Sequence, residues 1–188
     1  MKYDPEKHHR RSIRLKNYDY TRSGAYFATI CTKDRACAFG AAENGNIRLN
    51  NVGKIAQAAW NDLPERFPSI GLDAFIVMPN HVHGIIFIIG AQFIEPNAIP
   101  PVLNSGVINH APTLGRILRA FKATSTRLIR QAGGTDFAWQ RNYYEHVIRS
   151  EESLNRIRQY IFDNPVRWTM DPENPSATTV EPEDAWRV

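Results

Sequence analysis

The run from His81 to Ile89, His-Val-His-Gly-Ile-Ile-Phe-Ile-Ile, leaves this chain few folds. Side chains alternate across a strand, so His81, His83, Ile85, Phe87 and Ile89 share one side while Val82, Ile86 and Ile88 fill the other. Both sides are apolar beyond the histidines. A strand of this kind has to be covered on both faces. Its two imidazoles project together, about 7 Å apart along the backbone, at the mouth of the strand. Buried imidazoles need partners, and two readings satisfy them: ordinary hydrogen-bonded or surface histidines, or a chelating pair around a metal ion.

Periodicity elsewhere supplies the other layers. Strands are expected at 25–32, 72–78 and 143–148, helices at 52–65 and 113–131, and a further helix opens at Ser150. The order strand, helix, strand, strand, helix, strand is the split βαβ order of a ferredoxin-like α+β fold. That predicts an antiparallel sheet with helices on one face and the C-terminal helix as an addition. Residues 46–49 are expected to add a short edge strand to this sheet. Gly133-Gly134 reads as a turn. Residues 90–112 carry four prolines without periodicity and read as a loop insertion, and the Pro-containing segment from 169 to 188 as an acidic tail that wraps or hangs free. The implied organisation is a basic segment over 1–22, a single domain over 23–168 and that tail.

The C-terminal helix carries the second constellation. Ser150 is the expected N-cap, Glu151 and Glu152 complement the helix dipole, and Pro165 stops the helix. Leu154, Ile157 and Ile161 make its apolar stripe. Arg156, Tyr160 and Asn164 follow at four-residue spacing and share a neighbouring face. A boundary tyrosine with a snorkelling arginine explains that row as well as a reactive site does.

Taken together, these motifs resemble the single-tyrosine HUH transposases, nearest to the branch of REP-associated tyrosine transposases. Four blocks in order carry the resemblance: Gly24-Ala25-Tyr26-Phe27-Ala28-Thr29-Ile30, Pro79-Asn80-His81-Val82-His83, Trp139 through Arg149, and Tyr160-Ile161-x-x-Asn164-Pro165. It spans roughly residues 10 to 168. The resemblance implies a metal-dependent enzyme that nicks and rejoins single-stranded or hairpin DNA. Tyr160 would be the nucleophile, forming a 5′-phosphotyrosine. His81, His83 and the amide of Asn164 would hold Mg²⁺ or Mn²⁺, with Zn²⁺ as an inhibitory occupant. Relatives include monomers and homodimers. Tyr143 and Tyr144, on opposite faces of their strand, are rival nucleophiles without an amide one turn away, and His146 is a further residue able to approach the metal.

Charge and composition bound this reading. The chain carries +4 overall, yet residues 171–188 hold five acids against Arg187 alone, so residues 1–170 carry +8. A basic body suits a polyanion. Candidate DNA contacts are Arg11 and Arg14 in the N-terminal segment, Arg116, Arg119 and Lys122 on the 113–131 helix, then Arg141 and Arg156. There is no Walker loop or dinucleotide fingerprint, so no nucleotide cofactor is expected. Without a signal-like segment or a long apolar run, the expected setting is cytoplasmic, where Cys31 and Cys37 would be two buried thiols. Two other classes stay open: a non-catalytic single-stranded nucleic-acid binder, and a zinc-dependent hydrolase.

Overall fold

A computed structural model describes residues 23–89 and 112–177. The elements run β1 (Gly24–Cys31), β2 (Gly40–Glu43), β3 (Asn46–Leu49), α1 (Asn51–Asn61), α2 (Leu63–Arg66), β4 (Ile70–Val77), β5 (His81–Ile88), α3 (Leu114–Gln131), β6 (Tyr144–Ile148) and α4 (Glu151–Asp163). Four strands form one antiparallel sheet in the order β4-β5-β1-β6. This is the ferredoxin-like arrangement, with β1 and β5 as its interior strands.

The two faces of the sheet are covered by different helices, as the doubly apolar β5 requires. Tyr26, Ala28, Ile30, Val82 and Ile86 meet α1 and α3 through Ala56, Trp60, Ile117 and Phe121. On the reverse face Ala25, Phe27, Ile85 and Ile148 meet α4 through Ile157 and Ile161. The added helix therefore closes the histidine side. Its first turn is capped by the Ser150 hydroxyl, which accepts from the Ser153 amide at 3.2 Å. Its tilt is held by Arg158, which donates to both carboxylate oxygens of Asp73 at 2.8 and 2.6 Å. Asp73 sits where the β4–β5 register shifts between Leu72 and Phe75, so a strand irregularity serves as the anchor.

Several expectations change. The helix expected over 52–65 is broken at Asp62, and Pro64 sits in the first turn of the short α2. Proline there lacks the amide that an unbroken helix would need. Residues 46–49 do not join the main sheet. They pair with β2 as a separate two-stranded ribbon. Asn44-Gly45 turns this ribbon with φ of 52° and 74°, the left-handed geometry that a two-residue hairpin demands. Of the two cysteines only Cys31 is buried; Cys37 is exposed, and both are free. The 90–112 loop, apart from Pro112, lies outside the described residues, as do the basic segment and Arg11 and Arg14 within it.

Candidate active site

The imidazoles of His81 and His83 are buried side by side on the α4 face, at 0% and 2% exposure, with their Nε2 atoms 2.9 Å apart. Strand pairing sets this geometry. His81 lies opposite Cys31 and His83 opposite Thr29 on β1, so both rings are fixed by the most enclosed pair of strands. Phe27 stacks on His83 at 5.5 Å.

Neighbouring hydrogen bonds decide which ring nitrogens are free. The Asn80 amide nitrogen donates to two backbone carbonyls, Arg35 at 3.0 Å and Glu173 at 2.6 Å, which orients its oxygen toward His81 Nδ1 at 2.8 Å. An amide oxygen only accepts, so His81 carries its proton on Nδ1 and turns an Nε2 lone pair inward. His83 Nδ1 lies 2.9 Å from the Thr29 hydroxyl, which can donate or accept. In the metal-free site His83 Nε2–H can donate to His81; with the proton moved to Nδ1 and given to Thr29, both Nε2 atoms become ligands. Asn80 and Thr29 thus play the orienting part that partners of metal-bound histidines play.

Burial pushes both imidazoles toward neutrality. His83 is pushed down to about 3, and His81 is held well below the ordinary range by desolvation, then by His83 and Arg35. Neutral rings are what a metal requires. Above about pH 6.5 neither state of the chain is protonated at these positions; below it, the unfolded chain takes up protons that the folded chain refuses. Without metal, stability should therefore be full above about pH 6.5 and be lost as pH falls below it, toward pH 3 for His83. Urea midpoints in EDTA at about pH 7.5 and pH 5 measure it, and an unchanged midpoint would contradict the burial argument.

Tyr160 approaches this pair from α4. Its ring centroid is 5.3 Å from that of His83 and 6.2 Å from that of Phe27. Asn164, one turn on, caps the helix and is 2% exposed, with its Nδ2 3.3 Å from His83 Nε2. It keeps helical φ and ψ of −56° and −39° although Pro165 follows, a conformation the following proline disfavours. Among the described residues its Oδ1 is buried without a hydrogen-bond partner. Turning the amide over would present that oxygen in place of Nδ2, as an oxygen ligand to a metal requires.

A residue that sequence reasoning assigned to a tail completes the cluster. Asp171 is 4% exposed, and its Oδ2 is 3.7 Å from His81 Nε2. Ligand atoms of His81, His83 and Asp171 all lie within 4.8 Å of one another. The segment is strapped in place by Glu173, whose carboxylate accepts from Arg35 Nε at 2.8 Å and from the Cys31 thiol at 3.2 Å. Burial and that carboxylate push the Cys31 thiol far up, so it stays protonated. Two imidazoles, an amide oxygen and a carboxylate are donors suited to a divalent cation, so the residues present fit one. No pattern announced Asp171, because single contacts rather than a periodic face hold its segment. Asn80 stood in the quoted motif, next to His81, and could have been found there.

The remaining candidates are placed elsewhere. Arg156 points outward and pairs with Glu152 at 2.9 Å, so only Tyr160 and Asn164 of its row meet the histidines. Tyr144 shares the α4 face and packs edge-on against Phe27 at 6.4 Å, whereas Tyr143 packs with the α1/α3 core under Lys122. His146 pairs across from Phe27 on β6 and is not part of the His81, His83 and Asp171 cluster. Arg116 lies over the Phe67 ring at 6.0 Å. Arg119, Lys122 and Arg141 line a groove on the opposite side of the sheet from α4. No helix among the described residues is long and apolar enough to cross a membrane.

Fold and site define an α+β chain with a His-x-His pair on an interior strand facing a tyrosine-bearing helix. No protein-family model matches it. An uncharacterized protein of Haemophilus influenzae is 43% identical over 173 residues, covering 90% of this chain and 96% of its own length. A second protein of that organism, described as a "Putative REP-associated tyrosine transposase", is 24% identical over 161 residues, 81% of this chain and 77% of its own. The solved structure of a REP-associated tyrosine transposase bound to a REP hairpin has the same fold, with a TM-score of 0.55 at 20% identity over 82% of this chain and 74% of that one. The chain belongs to one family with the first of these proteins, and it resembles the REP-associated tyrosine transposases in sequence and in fold.

Proposed function

We propose that this chain is a metal-dependent single-stranded DNA endonuclease and strand transferase that acts through a 5′-phosphotyrosine on Tyr160. The observation that supports it most is the 5.3 Å separation between the rings of Tyr160 and the buried, neutral His83. The tyrosine oxygen would attack a phosphodiester phosphorus, forming the Tyr160–phosphate bond as the bond to the 3′ oxygen breaks, and the leaving oxygen departs as a 3′-hydroxyl with a proton. The number of phosphoester bonds is unchanged. A 3′-hydroxyl can therefore reverse the step without a nucleotide cofactor.

The phenol is mostly protonated near neutral pH, with a reference pKa near 10. Phe27 and His83 hold its ring edge-on, which restricts the approach of the hydroxyl. Asn80 and Thr29 keep the two imidazoles turned inward. Held by His81 and His83 with oxygens from Asn164 and Asp171, Mg²⁺ or Mn²⁺ would neutralise charge on a non-bridging phosphate oxygen. The REP hairpin in the similar solved structure suggests folded single strands as substrate.

The test is incubation with a hairpin oligonucleotide and Mn²⁺ or Mg²⁺, followed by denaturing electrophoresis. An adduct that survives SDS is expected, reduced by about a thousandfold or more in Tyr160→Phe. Binding without cleavage would instead indicate a nucleic-acid binder, and cleavage that leaves no DNA on the protein a hydrolase.

A further inference from the structure

Tyr160 meets the imidazole pair at His83, whereas a second aromatic ring meets it at His81. Trp168 opens a single helical turn over Trp168–Met170, and its ring centroid lies 6.1 Å from that of His81 at a tilt of 33°. His81 is fully buried, yet Trp168 is only half-buried. One part of the indole therefore covers the histidine while the rest is open to solvent, the arrangement that a flat stacking partner needs. The ring is held from behind. Its residue's carbonyl accepts from the Asn174 side-chain amide at 2.8 Å and from the Asp171 backbone amide at 3.3 Å.

Arg35 reaches the same end of the pair. Its carbonyl accepts from the Asn80 amide whose oxygen meets His81, and its guanidinium binds the 171–174 segment through the Glu173 carboxylate at 2.8 Å and the Pro172 carbonyl at 3.3 Å. The guanidinium stands near enough to His81 to oppose its protonation. The side chain is nevertheless 45% exposed, and among the described residues its Nη2 has no hydrogen-bond partner. Asp34 and Arg35 both take left-handed backbone, with φ of 55° and 54°, and neither is a glycine. Strain of this kind persists only where surrounding contacts impose it, and here they hold a half-open guanidinium fork beside His81.

The chemistry gives this end of the pair its part. In a displacement at phosphorus the entering and leaving oxygens stand roughly in line on opposite sides. Tyr160 enters from the His83 side, so the departing 3′ oxygen, with the nucleotide that carries it, lies toward His81, Trp168 and Arg35.

We infer that Trp168 and Arg35 form a subsite for the nucleotide that leaves with the 3′-hydroxyl: its base stacks on the open part of the indole, and the phosphate on its 5′ side pairs with the guanidinium. Such a subsite keeps the released strand bound, so that its hydroxyl rather than water makes the return attack. The inference rests on the strand-transfer reading for which nucleotide is held, but its binding test does not need the chemistry to occur.

Fluorescence anisotropy in Mn²⁺ tests it, with Tyr160→Phe as the parent to stop cleavage and hairpin oligonucleotides carrying one abasic site at each unpaired position in turn. At one position, loss of the base is expected to weaken binding about tenfold. Trp168→Ala should erase that sensitivity, and Trp168→Phe, which keeps a ring, should retain part of it. A neutral methylphosphonate in place of the phosphate on the 5′ side of that nucleotide should weaken binding by the parent but not once Arg35→Ala is added; equal losses with and without Arg35 would remove it from the subsite. If Trp168→Ala weakens every oligonucleotide equally, or leaves every abasic penalty as it was, the indole is structural and the inference falls. Adduct formation by the unaltered chain locates the cut. A sensitive nucleotide immediately 5′ of the cleaved bond upholds the assignment, and one on the 3′ side overturns it. An adduct without any Trp168-dependent position sinks the subsite alone; a Trp168-dependent position with no adduct keeps the stacking site and sinks the strand-transfer reading.

Discussion

His83→Ala should lower the yield of covalent DNA adduct by at least about a hundredfold in either Mg²⁺ or Mn²⁺, equivalent to about 2.7 kcal/mol at 1.36 kcal/mol per decade. The ring performs three tasks at once. It offers an inward Nε2, it lies edge-on to Tyr160, and it stacks on Phe27. Alanine removes all of them, and added metal cannot replace the missing donor. Asp171→Asn is milder: it keeps an oxygen near His81 but removes the charge, so yield should fall at low metal and recover as metal is raised. Isothermal titration with Mn²⁺ beside the adduct assay separates the two cases. Full adduct yield in His83→Ala would remove metal chelation from the account.

The residue beside it governs stability. Gly84→Ala should cost about 3 kcal/mol, which for a chain of this size lowers the melting temperature by roughly 6–12 °C. Gly84 has no unusual backbone angle; the reason is steric. A Cβ there would overlap Trp60 Cζ2, and would stand 2.6 Å from Trp60 Cη2 and 3.0 Å from Phe75 Cδ2. The indole cannot yield. It is 1% exposed, stacked on Phe75 at 4.5 Å and edge-on to Phe121 at 5.3 Å. Trp60→Leu in the Gly84→Ala background should therefore recover part of the loss, a coupling that two separate defects would not show. Calorimetry checks both, and an unaltered melting temperature in Gly84→Ala would mean that this face of β5 is loosely packed.

What could be read from the sequence follows from which contacts are periodic. The interior strand β5 was legible because apolar residues fill both of its faces, and α3 and α4 because Thr113 and Ser150 cap clean 3.6-residue stripes. The common face of His81 and His83 followed from the same alternation. Gly40-Ala41-Ala42-Glu43 has no such signal, since β2 exists only through its pairing with β3 across the Asn44-Gly45 turn. The break at Asp62 was written in Pro64 but masked by apolar residues on either side. Asp171 was illegible for a different reason. Its place depends on Glu173 meeting Arg35 and on Asn80 holding the Glu173 carbonyl, contacts about 90 to 140 residues apart in sequence. Periodic patterns carry no information at that range.

The account turns on Tyr160 and the imidazole pair acting as one site, and mass spectrometry of the trapped adduct addresses that most directly. Protease digestion of the protein after incubation with a hairpin oligonucleotide and Mn²⁺ should yield a single nucleotide-bearing peptide, modified at Tyr160, that is absent when EDTA replaces the metal. A modified peptide containing Tyr143 or Tyr144 instead, or one that forms equally well in EDTA, would contradict it.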